Sequence, residues 1–335
     1  ENGAQLHVEK VVKGKAATYT YSKPSEDLGD GYKREYLNIK WVDSDGEVVN
    51  LGSVNSSVTV KVSYDTYIIR NVTTPADTKI TSINKFIGVD GDDKITFRVR
   101  VNNTGWSGLN IIAKGGYVGV SGGVSASNTW YVVTIDTISG EISIMTEDGI
   151  AKKIDQQGTY TAQATTLADI AIKLGNGDLD VAVVNVEVVS MEFYDTDKTT
   201  LLKKELLTKG NINYVHQFAT DSEGYSKTVD TWLPIDGSAN KMYAAKAEYI
   251  RNQNVFGSDV ALLKTNKYSR VDSDGIITFK IRIAATGWTG LNISIGASNY
   301  VGVSGGLSSN GTDWLTVTIN TESGEIVIKN AGGST

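Results

Sequence analysis

Two tryptophans stand in nearly identical contexts, Trp106 in TGWSGLN (104–110) and Trp288 in TGWTGLN (286–292). A flat indole beside glycines can lie open and stack on a sugar ring. Tyr117 and Tyr300 open two identical YVGVSGG runs, where small residues allow close backbone approach and the phenol can stack or hydrogen-bond. Trp41 and Trp232 precede Asp-Gly turns in WVDSDG (41–46) and WLPIDG (232–237). These six aromatics are the candidate ligand-binding set, and the ligand class they suit is a polysaccharide or cell-surface glycan. The same residues also suit a plainer role. Tryptophan is usually largely buried, and a glycine-rich run also serves as a bulge or tight hairpin. No GK[ST] follows YVGVSGG, so no phosphate-binding loop is expected there.

The acidic clusters VDGDD (89–93) and VDSDG (271–275) occupy equivalent positions, and VDSDG also occurs at 42–46. Asp90, Asp92, Asp272 and Asp274 are the candidate calcium ligands, because clustered carboxylates beside glycine can hold that ion. No full EF-hand series ending in glutamate is present, and Asp-Gly is equally a hairpin turn. Two histidines, His7 and His216, and no cysteine leave too little for a multi-histidine zinc site, a thiolate site or a Ser-His-Asp triad. The chain is therefore expected not to be an enzyme. A net charge of −6 gives no electrostatic footprint for nucleic acid. No apolar run reaches the length of a membrane span. The absence of cysteine fits an exported bacterial protein, hence a secreted or cell-surface location.

The elements that must position these residues come in two copies. NKFIGVDGDDKITFRVRV (84–101) aligns with NKYSRVDSDGIITFKIRI (266–283), and WYVVTIDTISGEISI (130–144) with WLTVTINTESGEIVI (314–328). YIIRN (67–71) resembles YIRN (249–252). Repetition of this kind marks a duplicated structural unit. Two homologous domains are expected, residues 1–195 and 196–335. The first copy continues through GDLDVAVVNVEVV (177–189), to which nothing in the second corresponds, so the second is expected to lack its closing strands. Two readings of this follow as expectations: a truncated array, or a foreign segment, residues 4–12 of an adjacent copy, that fills a gap near 316–328. In ITFRVRV the residues Ile95, Phe97, Val99 and Val101 share one face and Thr96, Arg98 and Arg100 the other, the period of a half-buried strand. Only TDKTTLLKKELLTKG (196–210) reads as a helix. The fold class is all-β: two tandem antiparallel β-sandwiches of jelly-roll type.

WYVVTIDTISGEISIMTEDG, ITFRVRV and GDLDVAVVNVEVV together resemble adjacent, core and closing strands of concanavalin-like, laminin-G-like and jelly-roll carbohydrate-binding domains. The resemblance covers about a third of each copy. It implies a sandwich and glycan binding. The E-x-D-x-x-E-like catalytic strand of the enzymes of that fold is absent. Two functions follow as expectations: a non-catalytic extracellular glycan-binding module, or a structural repeat of a surface fibre, adhesin stalk or surface layer. In the second, copies of the chain join by strand exchange, and head-to-tail exchange builds a filament.

Overall fold

Alternating apolar and polar residues dictate strands, and the computed structural model shows an almost entirely β protein with several antiparallel sheets. It describes all residues except 1–4, 74, 103–104, 115, 126–128, 153, 158–159, 211–213, 254–258, 284–287, 296–298, 303–306, 309–312 and 334–335. Side chains are further left out at 106, 125, 154–157, 288–289, 299 and 307–308. Contacts divide the chain into two compact units: Glu1–Ile212 with Pro234–Tyr243, and Asn213–Leu233 with Ala244–Thr335.

In the first unit a seven-stranded sheet runs in the order Glu26–Gly29, Tyr32–Val42, Lys61–Thr73, Asp178–Val184, Lys94–Asn102, Tyr131–Asp136, Ile142–Thr146. A five-stranded sheet runs Ile154–Gln157, Gly116–Val120, Leu109–Ala113, Ala171–Leu174, Thr78–Lys79. One apolar core joins the two. Ile95, Phe97, Val99 and Val101 of the first sheet share it with Leu109, Ile111, Val118 and Ile172 of the second. The period-two pattern of ITFRVRV is thus realised as burial: its four apolar residues are at most 2% exposed.

Two expectations fail here. Residues 196–210 form no helix. Leu201–Thr208 is a strand paired antiparallel with Val188–Tyr194. Helix-forming Leu, Lys and Glu are overridden because Leu206 gains burial against the core, and ladder hydrogen bonds replace helical ones. GDLDVAVVNVEVV is also not one closing strand. Its first part, Asp178–Val184, lies in the middle of the seven-stranded sheet, antiparallel to both neighbours.

The second unit repeats pairings of the first in matching register. Val133 faces Phe97 and Ile144, and Val317 faces Phe279 and Ile328. The isolated bridge Val89–Ile95 returns as Val271–Ile277. Four-residue helices sit at Ile80–Ile83 and Leu262–Thr265. Within the stretch 316–328, Leu315–Asn320 is paired on both sides, with Ile276–Ile281 and Ile326–Lys329, and among the described residues Ile326–Lys329 is paired on one side only. Among the described residues no strand pairs with the outer edge of Ile276–Ile281, and residues 244–251 of the Lys241–Arg251 strand are paired on one side only. These are the counterparts of the two strands that flank Asp178–Val184. Residues 5–12 belong to no strand, and 1–4 lie outside the described residues.

Candidate functional site

The Asp-rich turns share one local geometry. Asp90 Oδ1 accepts the backbone N–H groups of Asp92 (3.0 Å) and Lys94 (2.9 Å), and Asp272 Oδ1 those of Asp274 and Ile276 (2.9 Å each). Asp43 and Asp221 do the same in their own turns. The fourth residue of each turn has positive φ: Gly46 88°, Asp93 58°, Gly224 86°, Gly275 73°. These are Asp-nucleated hairpin turns in which a side-chain acceptor satisfies the tip amides. Asp92 and Asp274 lie at the tips. Among the described residues, no three His, Asp or Glu side chains converge on one point.

The aromatics do not gather into one platform. Trp106 begins a two-residue strand with Ser107, and Trp288 one with Thr289, but both indoles lie outside the described residues. The Trp232 indole is 6% exposed and donates its N–H to Tyr214 O at 2.6 Å. Trp41 is half-buried and lies 6.0 Å from Tyr19, which stacks on exposed His7 at 4.3 Å. Tyr117 is half-buried in the Gly116–Val120 strand, whereas Tyr300 is 70% exposed in Asn299–Gly302. Tyr117's strand is covered at its edge by Ile154–Gln157, and the Asn299–Gly302 strand pairs only with Asn292–Ile295 among the described residues. The glycines of YVGVSGG are partly structural. A Cβ on Gly119 would lie 2.6 Å from Asn110 Oδ1, and one on Gly302 2.5 Å from Asn292 Oδ1.

A polar centre not anticipated from the sequence lies on the central strand of the first unit. Asp180 is 2% exposed. Its Oδ2 receives Arg100 Nη2 (2.7 Å), Arg100 Nε (3.1 Å) and Asn102 Nδ2 (2.9 Å), and its Oδ1 receives Asn71 Nδ2 (2.8 Å). Arg100 in turn lies 4.4 Å over the Trp130 ring, itself buried. Burial acts to raise the Asp180 pKa, but the donors Asn71, Arg100 and Asn102 outweigh it and hold the carboxyl below its ordinary value. Nearby, burial and a hydrogen bond to Glu147 push the Tyr67 phenol upward. Buried Asn84 closes the core side of the same strand, donating Nδ2 to Ile68 O (3.0 Å) and to Val181 O (3.1 Å). A signal was present: a lone Asp inside a valine run, with Arg100 on the polar face of ITFRVRV.

The second unit repeats several of the contacts around this centre. Tyr225 Oη accepts Lys267 N (2.8 Å) as Tyr32 Oη accepts Lys85 N (3.0 Å). Arg251 Nη1 donates to Lys264 O as Arg70 Nη1 does to Ser82 O. Asn266 Nδ2 donates to Tyr249 O (3.1 Å) as Asn84 does to Ile68 O. These equivalences match Asn71 with Asn252 and Arg100 with Arg282. Arg282 lies 4.7 Å over Trp314, repeating Arg100 over Trp130. Arg282 and Asn252 are exposed, and among the described residues no carboxylate pairs with Arg282. The match for Asn102 falls at residue 284, outside the described residues.

No protein-family model and no curated protein matches this chain.

Proposed function

We propose that this chain is a non-catalytic structural subunit of an extracellular assembly, a surface fibre, adhesin stalk or surface layer built from repeated β units. The observation that supports this is the recurrence of one strand pairing in both units, Val133 facing Phe97 and Ile144 as Val317 faces Phe279 and Ile328. Repetition of one structural unit along a chain suits an extended scaffold. Native mass spectrometry on protein taken from its natural source tests the proposal. Multimers, or a second polypeptide retained on the chain, are expected, and a monomer at micromolar concentration overturns it.

The glycan-binding reading keeps one favourable observation, the His7–Tyr19–Trp41 series with its exposed end. Under that reading Trp41→Ala lowers retention in polysaccharide affinity gels, typically by tenfold or about 1.4 kcal/mol, and leaves the melting temperature within a few degrees. Unchanged retention removes Trp41 as a contact.

A further inference from the structure

Two tyrosines on adjacent strands of the first unit form a notch outside its core. Tyr36 of Tyr32–Val42 and Tyr64 of Lys61–Thr73 meet edge to face, with centroids 5.1 Å apart and planes at 80°. Both rings are half-buried. The Lys23 ammonium sits between them, 4.1 Å from the Tyr36 centroid and 5.1 Å from that of Tyr64. It also donates to Tyr64 Oη at 3.1 Å. A carboxylate stands at the rim, with Glu26 Oε2 3.5 Å from Tyr36 Oη. Aromatic faces carry negative potential, so two of them set at a steep angle beside a carboxylate make a receptor for a cation. Its occupant comes from the chain itself. Residues 16–25 belong to no strand, and in the stretch 22–25 Lys23 is the one residue that is not exposed. The repeated fold does not require this arrangement. By the equivalences above, Val229 and Ala245 stand at the two tyrosine positions in the second unit, whose strands form without a notch.

We propose that the Tyr36–Tyr64 notch is a binding site for an organic ammonium group of the trimethylammonium type, with Lys23 as its displaceable resident. The inference is independent of the assembly reading above. Lysine is a compact, strongly hydrated charge on a flexible stem. A quaternary ammonium carries the same charge on a larger apolar surface, so it exchanges water for ring faces at lower cost. Lys23 is tethered beside the notch and competes at every ligand concentration. The apparent affinity is therefore reduced to the fraction of molecules in which the notch stands open. Removing Lys23 should strengthen binding, the reverse of what loss of a ligand contact does.

The test uses the full chain with choline as the probe and dimethylbutanol, its uncharged carbon isostere, as the control. Isothermal titration gives affinity, and ring-proton signals of labelled tyrosine locate binding. Choline is expected to bind Lys23→Ala about tenfold more tightly than it binds the wild type, the scale of one displaced cation–π contact. In the Lys23→Ala background, Tyr64→Leu removes one wall and should weaken binding about tenfold, whereas Tyr64→Phe keeps the ring and should stay within about twofold. The phenylalanine variant separates loss of the site from loss of the fold. Dimethylbutanol should not compete. Absence of choline binding by Lys23→Ala overturns the proposal and leaves the two rings as a latch for residues 16–25. Equal binding of choline and dimethylbutanol overturns it too, as does weaker binding by Lys23→Ala than by the wild type. Sedimentation with phosphatidylcholine vesicles distinguishes the sources of the group. Retention that Tyr64→Leu abolishes places it on a lipid headgroup, and binding of free choline without retention places it on a soluble molecule.

Discussion

Asp180→Ala is expected to destabilise the first unit by about 3–5 kcal/mol, the cost of breaking a buried ion pair by removing one partner. The loss comes less from the missing carboxylate than from what it leaves behind. Arg100, Asn71 and Asn102 all direct donors at it, and Arg100 does so from a half-buried position. Denaturant unfolding followed by tryptophan fluorescence reads the change, since Trp130 packs against Arg100. A loss below about 1 kcal/mol would show the cluster to be as weak as a surface pair. The pH dependence has a definite sign. The folded carboxyl titrates below its ordinary value of 3.8, so its contribution is complete above about pH 5 and disappears as pH falls through the depressed folded value. Asp180→Asn removes this acid-sensitive component. The gap in stability between wild type and Asp180→Asn should therefore be constant above about pH 5 and shrink below pH 4. A gap that widens on acidification would contradict the assignment.

The second large effect is at Gly140. Its φ is 75°, and a Cβ there would lie 1.8 Å from Gln163 O. The segment around Tyr160 and Thr165 folds over this hairpin. Tyr160 Oη donates to Gly140 O, and Thr165 N donates to Thr137 O at 2.9 Å. Gly324 is the natural control. It has nearly the same φ, 74°, in the matching SGE turn, yet nothing lies within 4 Å of its would-be Cβ. Gly324→Ala is expected to cost about 1–2 kcal/mol, the left-handed penalty alone. Gly140→Ala adds a backbone clash and should cost about 3–5 kcal/mol in total. Calorimetric melting of the two variants separates the terms. Equal costs would mean that the 160–166 segment yields freely.

Much of the architecture was legible because the information was local. Ile95, Phe97, Val99 and Val101 alternate, and Asp90 and Asp272 announce turns that four neighbouring residues can build unaided. The recurrence of the motifs made each of these signals visible twice. What escaped was non-local. Nothing in LDVAVV says that Asp180 will lie between Asn71 and Arg100, since those partners are 109 and 80 residues away in sequence. Leu201–Thr208 was misjudged for the same reason: its composition favours a helix, and only its pairing with Val188–Tyr194 makes it a strand. Of the aromatic set, Trp232 proved to be packed, with its N–H bonded to Tyr214 O. A spacing rule does not distinguish a packed indole from a displayed one. Strand order within a sheet follows from tertiary pairing, and sequence order conceals that the last strand made is the middle one laid.

That middle position governs how the first unit must be synthesised. Asp178 pairs with Asn102 and Val184 with Tyr67, separations of 76 and 117 residues. While the ribosome is still upstream of residue 178, the nascent chain can form the sheet only as two separate halves, Glu26–Thr73 and Lys94–Thr146, with their inner edges facing solvent. Long-range closure of this kind is slow, and in the interval exposed apolar edges invite the wrong neighbour. Arg70, Arg98 and Arg100 stand along those two inner strands. Charges placed along an exposed strand disfavour pairing with a wrong neighbour. Once the last strand arrives, Arg100 becomes the partner of Asp180. The same guanidinium that charges the open edge is therefore the one that pins the closing strand.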